Sequence, residues 1–147
     1  MSAELEALAD RVMACPGVRL GDGVKTLPSE DFPDGLRIVS VSECGRRVSA
    51  YGNSHHDGPE VWDLVLPADK AALRPDFSDA LTRGWLLALV REAWNVPSLQ
   101  CGHTGGWDQD WDTWMVGNPS GRGHGCVIAG TGSTEAEALV AALEDTP

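Results

Sequence analysis

Four residues in the second half of the chain have the types and spacing to hold a metal. Cys101-Gly102-His103 and His124-Gly125-Cys126 are mirror-image C-x-H and H-x-C elements. On strands, residues two apart share a face. A hairpin joining the two would gather two thiolates and two imidazoles around one Zn²⁺. The spacing differs from the C-x₂-C and H-x₃₋₅-H of common zinc modules. The competing reading makes Cys101 and Cys126 small core hydrophobes, with His103 and His124 at strand ends. His55-His56-Asp57 is a second cluster with metal or general-base chemistry, but its Gly-, Asn- and Ser-rich surroundings favour a solvated hairpin loop.

Asp108-Gln109-Asp110-Trp111-Asp112 imitates the opening of a calcium loop. Thr113 stands where such a loop needs Gly, and Pro119 where it needs a bidentate Glu, so an EF-hand is excluded. What remains is an acidic loop and strand edge interleaved with tryptophan. Alternation places Trp107 and Trp111 on one face and Trp114 on the other, and a sheet covered on one side leaves a ring exposed. An exposed Trp flanked by carboxylates is a binding anchor, which makes Asp108, Asp110, Trp111 and Asp112 the candidate partner-binding residues. The alternative buries all three rings. No G-x-x-x-x-G-K-[ST], G-x-S-x-G or H-E-x-x-H occurs, so no catalytic residue is assigned and the chain is expected not to be an enzyme. The glycines around 102–125 have only Arg122 as a nearby cation, which suits turns better than a phosphate cradle.

The elements that must position these residues follow from periodicity. A helix is expected over 2–14, capped by Ser2, burying Leu5, Leu8, Ala9, Val12 and Met13 and stopped at Pro16-Gly17. Strands are expected at 18–20, 24–27, 36–41, 46–51 and 61–66, with a tight turn at Glu43-Cys44-Gly45. Residues 67–76, with two prolines, form a linker or a short helix. A second helix spans 78–94, capped by Asp76 or Ser78, with Leu81, Trp85, Leu86, Leu89, Val90 and Ala93 as its apolar face, and ends at Asn95 and Pro97. Strands at 98–103, 111–116 and 126–129 precede a last helix over 135–144. Thr134 and Glu137 form its capping box, and Ala136, Leu139, Val140 and Leu143 its buried stripe. The fold class is therefore α+β: antiparallel sheet(s) with helices packed on one face. A helix and β-meander segment, 1–75, precedes an α-β-β-β-α segment, 76–147, and the two are compatible with one shared core.

Charge and cysteine usage bound the function. The 147 residues carry 22 acidic and 11 basic side chains, a net of −11. Of this, −7 falls on the final 56 residues, where eight acids face Arg122 alone. Such a chain is a poor ligand for nucleic acid or anionic membranes, and its negative surface fits a basic groove on a protein. A solubilising role is the plainer alternative. No apolar run approaches the ~18 residues of a membrane span, and MSAELEALADRVMAC is acidic and amphipathic rather than a signal peptide. Cys15, Cys44, Cys101 and Cys126 then read as reduced thiols of a cytoplasmic protein.

DFSDALTRGWLLALVREAW (76–94), the W-x-x-W-x-V of Trp111, Trp114 and Val116, and GTGSTEAEALVAALE (130–144) resemble the phage ABA sandwich domain, in which helices pack on an antiparallel sheet. The likeness covers about the last 72 residues. The opening ELEALADRVMACPGVRL is similar, more loosely, to the N-terminal parts of such proteins. The family has no agreed activity, so the resemblance carries over no functional residue and no cofactor. It implies a phage or prophage accessory protein acting in the host cell, where the negative charge suits binding to a host protein. An anti-CRISPR-like inhibitor of a nucleic-acid-binding defence complex is its most specific form. A zinc-binding module and a minor virion or assembly protein are the alternatives.

Overall fold

The computed structural model describes residues 3–54, 58–66, 73–103, 113–118 and 128–147. Among these the order is α1 (Ala3–Ala14), β1 (Arg37–Val41), β2 (Arg47–Gly52), β3 (Glu60–Val65), α2 (Ala80–Trp94), β4 (Gln100–His103), β5 (Trp114–Gly117), β6 (Ile128–Gly132) and α3 (Glu135–Glu144). The class is α+β, with two three-stranded antiparallel sheets ordered β1-β2-β3 and β4-β5-β6. The chain divides into two compact units, Met1–Thr82 and Arg83–Pro147, with the division inside the first turn of α2.

In the first unit, β1 and β2 meet at the expected turn. Gly45 takes φ +72°, and its N–H donates to the Ser42 carbonyl at 2.8 Å. Ile38, Val48, Ala50 and Leu64 form the buried row of the sheet. The rest of this core comes from Leu8, Ala9 and Val12 of α1 and from irregular chain: Leu20, Val24, Leu27, Phe32, Leu36, Leu73 and Phe77. Two expected strands are absent as strands. Residues 18–20 form none, and 24–27 make only isolated bridges, Lys25 to Arg37 and Thr26 to Pro75. The second bridge is bounded by Leu27 N–H to the Arg74 carbonyl and Asp76 N–H to the Lys25 carbonyl, and Lys25 N–H goes to Thr82 Oγ1 instead of extending the ladder.

The cap of α2 also differs from expectation. Asp79, not Asp76 or Ser78, accepts from the backbone N–H of Thr82 at 3.0 Å and from its hydroxyl at 2.8 Å. Asp76 instead folds back on Ser78, accepting from its N–H and its hydroxyl. The helix ends where the sequence places it. Asn95 is left-handed at φ 54°, and N–H groups of Asn95 and Val96 return to the carbonyls of Glu92 and Arg91, a Schellman closure. Its buried stripe is narrower than the apolar pattern: Thr82, Leu86 and Val90 are inaccessible, whereas Leu81 and Ala93 are exposed.

In the second unit, α3 lies directly on the sheet. The expected strand end at Ala129 is overrun, and β6 continues through Gly130 and Gly132. A Cβ at Gly130 would sit 2.5 Å from both the Ala138 carbonyl oxygen and the Ala142 nitrogen, and one at Gly132 2.6 Å from the Ala138 nitrogen. These glycines are not breakers; they are what lets helix and strand backbones touch. Ala138 and Ala142 therefore join the buried surface of α3, beyond the expected stripe. Thr134 caps the helix by accepting from Glu137 N–H at 3.2 Å. The Glu137 carboxylate reaches Ser133 N–H at 2.8 Å, one residue earlier than a capping box requires. α2 runs alongside α3 in the same direction, since Arg83 pairs with Glu135 at 3.2 Å and Trp94 Nε1 donates to the Ala142 carbonyl at 2.8 Å.

Candidate functional site

Half of the proposed zinc set can be placed. Cys101 and His103 do share a face of β4, opposite Val116 and Trp114 of β5 respectively. This is the face that carries Gly130 and Gly132 toward α3. His103 is exposed at the strand end, its ring edge-to-face with Trp114 at 5.4 Å. Cys101 is half-buried near the start of α3, with Sγ 3.9 Å from the Glu135 carbonyl oxygen. Burial, and then the negative charge of Glu135, push its thiol up to about 11. The thiol is therefore protonated at neutral pH, and a metal would have to displace that proton. His124 and Cys126 lie outside the described residues, as do His55, His56 and Asp57. Among the described residues no three His, Cys, Asp or Glu side chains form a metal-sized group.

The acidic partner-binding candidates Asp108, Asp110, Trp111 and Asp112, together with Trp107, also fall outside the described residues. Their immediate continuation does not. Thr113 leads into β5, where Trp114 lies on the helix-facing side beside buried Val116 and is only half-covered. Trp85, expected on the apolar face of the second helix, and Trp94 near its end are likewise half-buried rather than enclosed.

Cys44 differs from Cys101 in surroundings. It is exposed in the β1–β2 turn, where the Ser42 hydroxyl, the Arg46 backbone and the Arg46 charge lower its thiol. Beside it lies an apolar cleft of about 150 Å³, walled by Met13, Val18, Leu20, Val41, Val48 and Leu66 with Arg19 at its edge. Cys15, Cys44 and Cys101 are not in disulfides.

Two features of the first unit escape sequence reasoning. One is a polar chain centred on Asp79. Its carboxylate takes both terminal nitrogens of Arg37 at 2.8 and 3.0 Å, and Arg37 also donates to the Gly23 carbonyl. Thr82, bonded to Asp79, accepts from Lys25 N–H at 2.9 Å. The other is the outer face of the first sheet, where Val39, Tyr51, Val61 and Val65 are each about half exposed. The alternation in E-V-W-D-L-V was the available signal, because both of its rows contain apolar residues.

Drawn at the structural division, the charge is shared more evenly than along the sequence. Residues 1–82 hold 14 acids and eight bases, a net of −6, and residues 83–147 eight acids and three bases, a net of −5. Arg83 and Arg91 fall on the second unit, and both are engaged, with Glu135 and the Leu99 carbonyl. Among the described residues no helix is long and apolar enough to cross a membrane. No family model, curated protein or solved structure matches the chain.

Proposed function

We propose that the protein is a non-enzymatic phage or prophage accessory protein that binds a host protein in the host cytoplasm. Its most specific form is an anti-CRISPR-like inhibitor occupying the nucleic-acid groove of a defence complex. The observation that carries this reading is the net charge of −11, negative on each unit separately. A groove that binds nucleic acid is basic, so an acidic protein surface is steered to it and competes with the phosphate backbone.

Affinity capture from the host followed by mass spectrometry tests it. The expected result is a nucleic-acid-binding complex whose retention weakens with salt. Reversal of Asp108, Asp110 and Asp112 to Lys, or Trp111→Ala, then releases it. Capture that the triple reversal and added salt leave unchanged overturns the acidic-surface reading. Recovery of only this chain or virion proteins replaces it with an assembly role.

The shared face of Cys101 and His103 favours a second reading, a zinc module completed by His124 and Cys126. Elemental analysis of protein purified without added metal decides it: one equivalent of zinc supports a closed structural site, and less than about a tenth removes it.

A further inference from the structure

The two edges of the first sheet are unlike. Along β1 the edge is occupied: Gly23 N–H donates to the Ile38 carbonyl, Ile38 N–H to the Val24 carbonyl and Thr26 N–H to the Leu36 carbonyl, each at 2.8 Å. β3 is the last strand on the other side, and among the described residues no strand pairs with its second edge.

The register fixes which backbone groups that edge presents. Beyond the strand end, Leu66 N–H donates to the Arg46 carbonyl at 2.8 Å. Antiparallel bonding alternates, so Glu60, Trp62 and Leu64 direct their backbone groups at β2 and Val61 and Asp63 direct theirs outward. The side chains of Val61 and Asp63 stand on the sheet's outer face, opposite Tyr51 and Ser49. Val61 is 58% and Tyr51 48% exposed. Asp63 accepts from the Ser49 hydroxyl at 2.9 Å and is exposed. β3 itself holds two acids, Glu60 and Asp63, and no Lys or Arg. Among the described residues two bases share this face: Arg47, at the far end of β2 opposite Val65, and Arg37 of β1, opposite Tyr51 and already paired with Asp79.

We infer that β3 accepts an extended segment of a partner protein as an added antiparallel strand, the segment carrying a Lys or Arg opposite Asp63 and an apolar residue opposite Val61. Main-chain bonds to Val61 and Asp63 supply the pairing, and the alternate side chains supply selectivity. The acidic stretch selects a basic strand and disfavours an acidic one, including β3 of a second copy, which would bring like charges together. The inference rests on the reading of the chain as a protein-binding protein, and it names residues other than Asp108, Asp110 and Asp112.

The test uses the full chain and a synthetic peptide with Val and Lys two residues apart on one face, Thr-Lys-Thr-Val-Thr-Lys-Thr, followed by calorimetry and amide chemical shifts. Binding should perturb Val61 and Asp63. It should fall tenfold or more when Glu replaces both Lys residues, with Asp63→Lys, and with Val61→Pro, which deletes an outward N–H without touching the β2 ladder. N-methylating the peptide amides along one edge should abolish binding only on the edge that meets β3, and this control leaves the protein unaltered. Equal affinity for the Lys and Glu peptides, no binding by the Lys peptide, or indifference to edge methylation overturns the inference. So does sedimentation showing that β3 pairs with a second copy. A host partner released by reversing Asp108, Asp110 and Asp112 but retained by Val61→Pro overturns the edge and leaves the host-binding reading intact. Peptide binding at β3 without any host partner does the reverse.

Discussion

The two units solve one problem by different means. Each must cover one face of a three-stranded antiparallel sheet. The second unit lays a helix on it so closely that Gly130 and Gly132 meet the backbone of α3. The first unit covers its sheet largely with irregular chain, and irregular chain leaves backbone donors and acceptors to be satisfied individually. That is where Thr26, Asp76 and Thr82, the buried polar residues among those described, are found. Thr26 Oγ1 accepts from Leu36 N–H at 2.8 Å and Thr82 Oγ1 from Lys25 N–H, each doing for the loop what a ladder does for a strand. The comparison teaches that backbone contact makes the second unit sensitive to volume, whereas side-chain ties make the first sensitive to charge.

The largest expected effect breaks the second unit at its point of closest approach. Gly130→Ala puts a methyl 2.5 Å from two backbone atoms of α3. Neither atom belongs to a flexible side chain, so the helix must shift, at a cost of about 3 kcal/mol. Hydrogen exchange should show α3 and β6 losing protection while β1 and β2 keep theirs. Equal loss in both regions would mean that the units do not respond separately.

The second effect strikes the first unit through its charge network. Asp79→Ala removes the cap of α2 and one half of a bidentate ion pair, and should cost about 2 kcal/mol, most of it the cap because Arg37 is partly solvated. Asp79 also sets a pH dependence. The Arg37 guanidinium, followed by hydrogen bonds from Thr82, holds its carboxyl well below the ordinary 3.8. A carboxyl depressed in the folded state contributes stability that is complete above 3.8 and is lost as pH falls toward its folded value. The deficit of Asp79→Asn relative to wild type, measured by urea unfolding, should thus be greatest near neutrality and shrink below pH 3.8. A deficit that is constant with pH would assign Asp79 a capping role without the ion pair.

Legibility follows the same division. The helices at 3–14, 80–94 and 135–144 were readable because each repeats an apolar face and carries a terminal signal within a few residues. The hairpin at Glu43-Cys44-Gly45 was readable for the same local reason. The Asp79 network was not, because Arg37 lies 42 residues away and no local pattern brings it to the cap. Gly130 misled in the opposite direction: a glycine after a short strand signals an end, and only the position of α3 reveals that it is a packing residue. For the candidate site, the shared face of Cys101 and His103 followed from alternation alone. The elevated thiol of Cys101 did not, because burial and Glu135 act on it through tertiary placement.

A smaller effect asks whether α3 depends on its cap or on its seat. Thr134→Ala removes the acceptor for Glu137 N–H and should cost about 1 kcal/mol. Glu137 bonds to Ser133 rather than to Thr134 itself, so Ser133 and Glu137 can hold the helix entrance without the threonine. A deficit as large as that of Gly130→Ala, measured by the same unfolding titration, would shift the stability of this unit from backbone contact to capping.

The smallest effect compares the partly exposed ion pairs. In the second unit Arg83 and Glu135 meet at 3.2 Å with side chains 26% and 33% exposed, joining the starts of two parallel helices. In the first unit Arg74 reaches Asp10 at 3.3 Å and Glu6 at 3.8 Å, and Asp10 is 63% exposed. Solvent screens both, so Arg83→Met should cost about 0.5 kcal/mol and Arg74→Met less, with both differences fading in high salt. Charge sensitivity in the first unit lies in the network around Asp79 and not in its exposed pairs, so Arg74→Met should cost far less than Asp79→Ala. If Arg74→Met matched Asp79→Ala in urea unfolding, electrostatic dependence would be spread over the whole unit, and the contrast would no longer rest on how each sheet is covered.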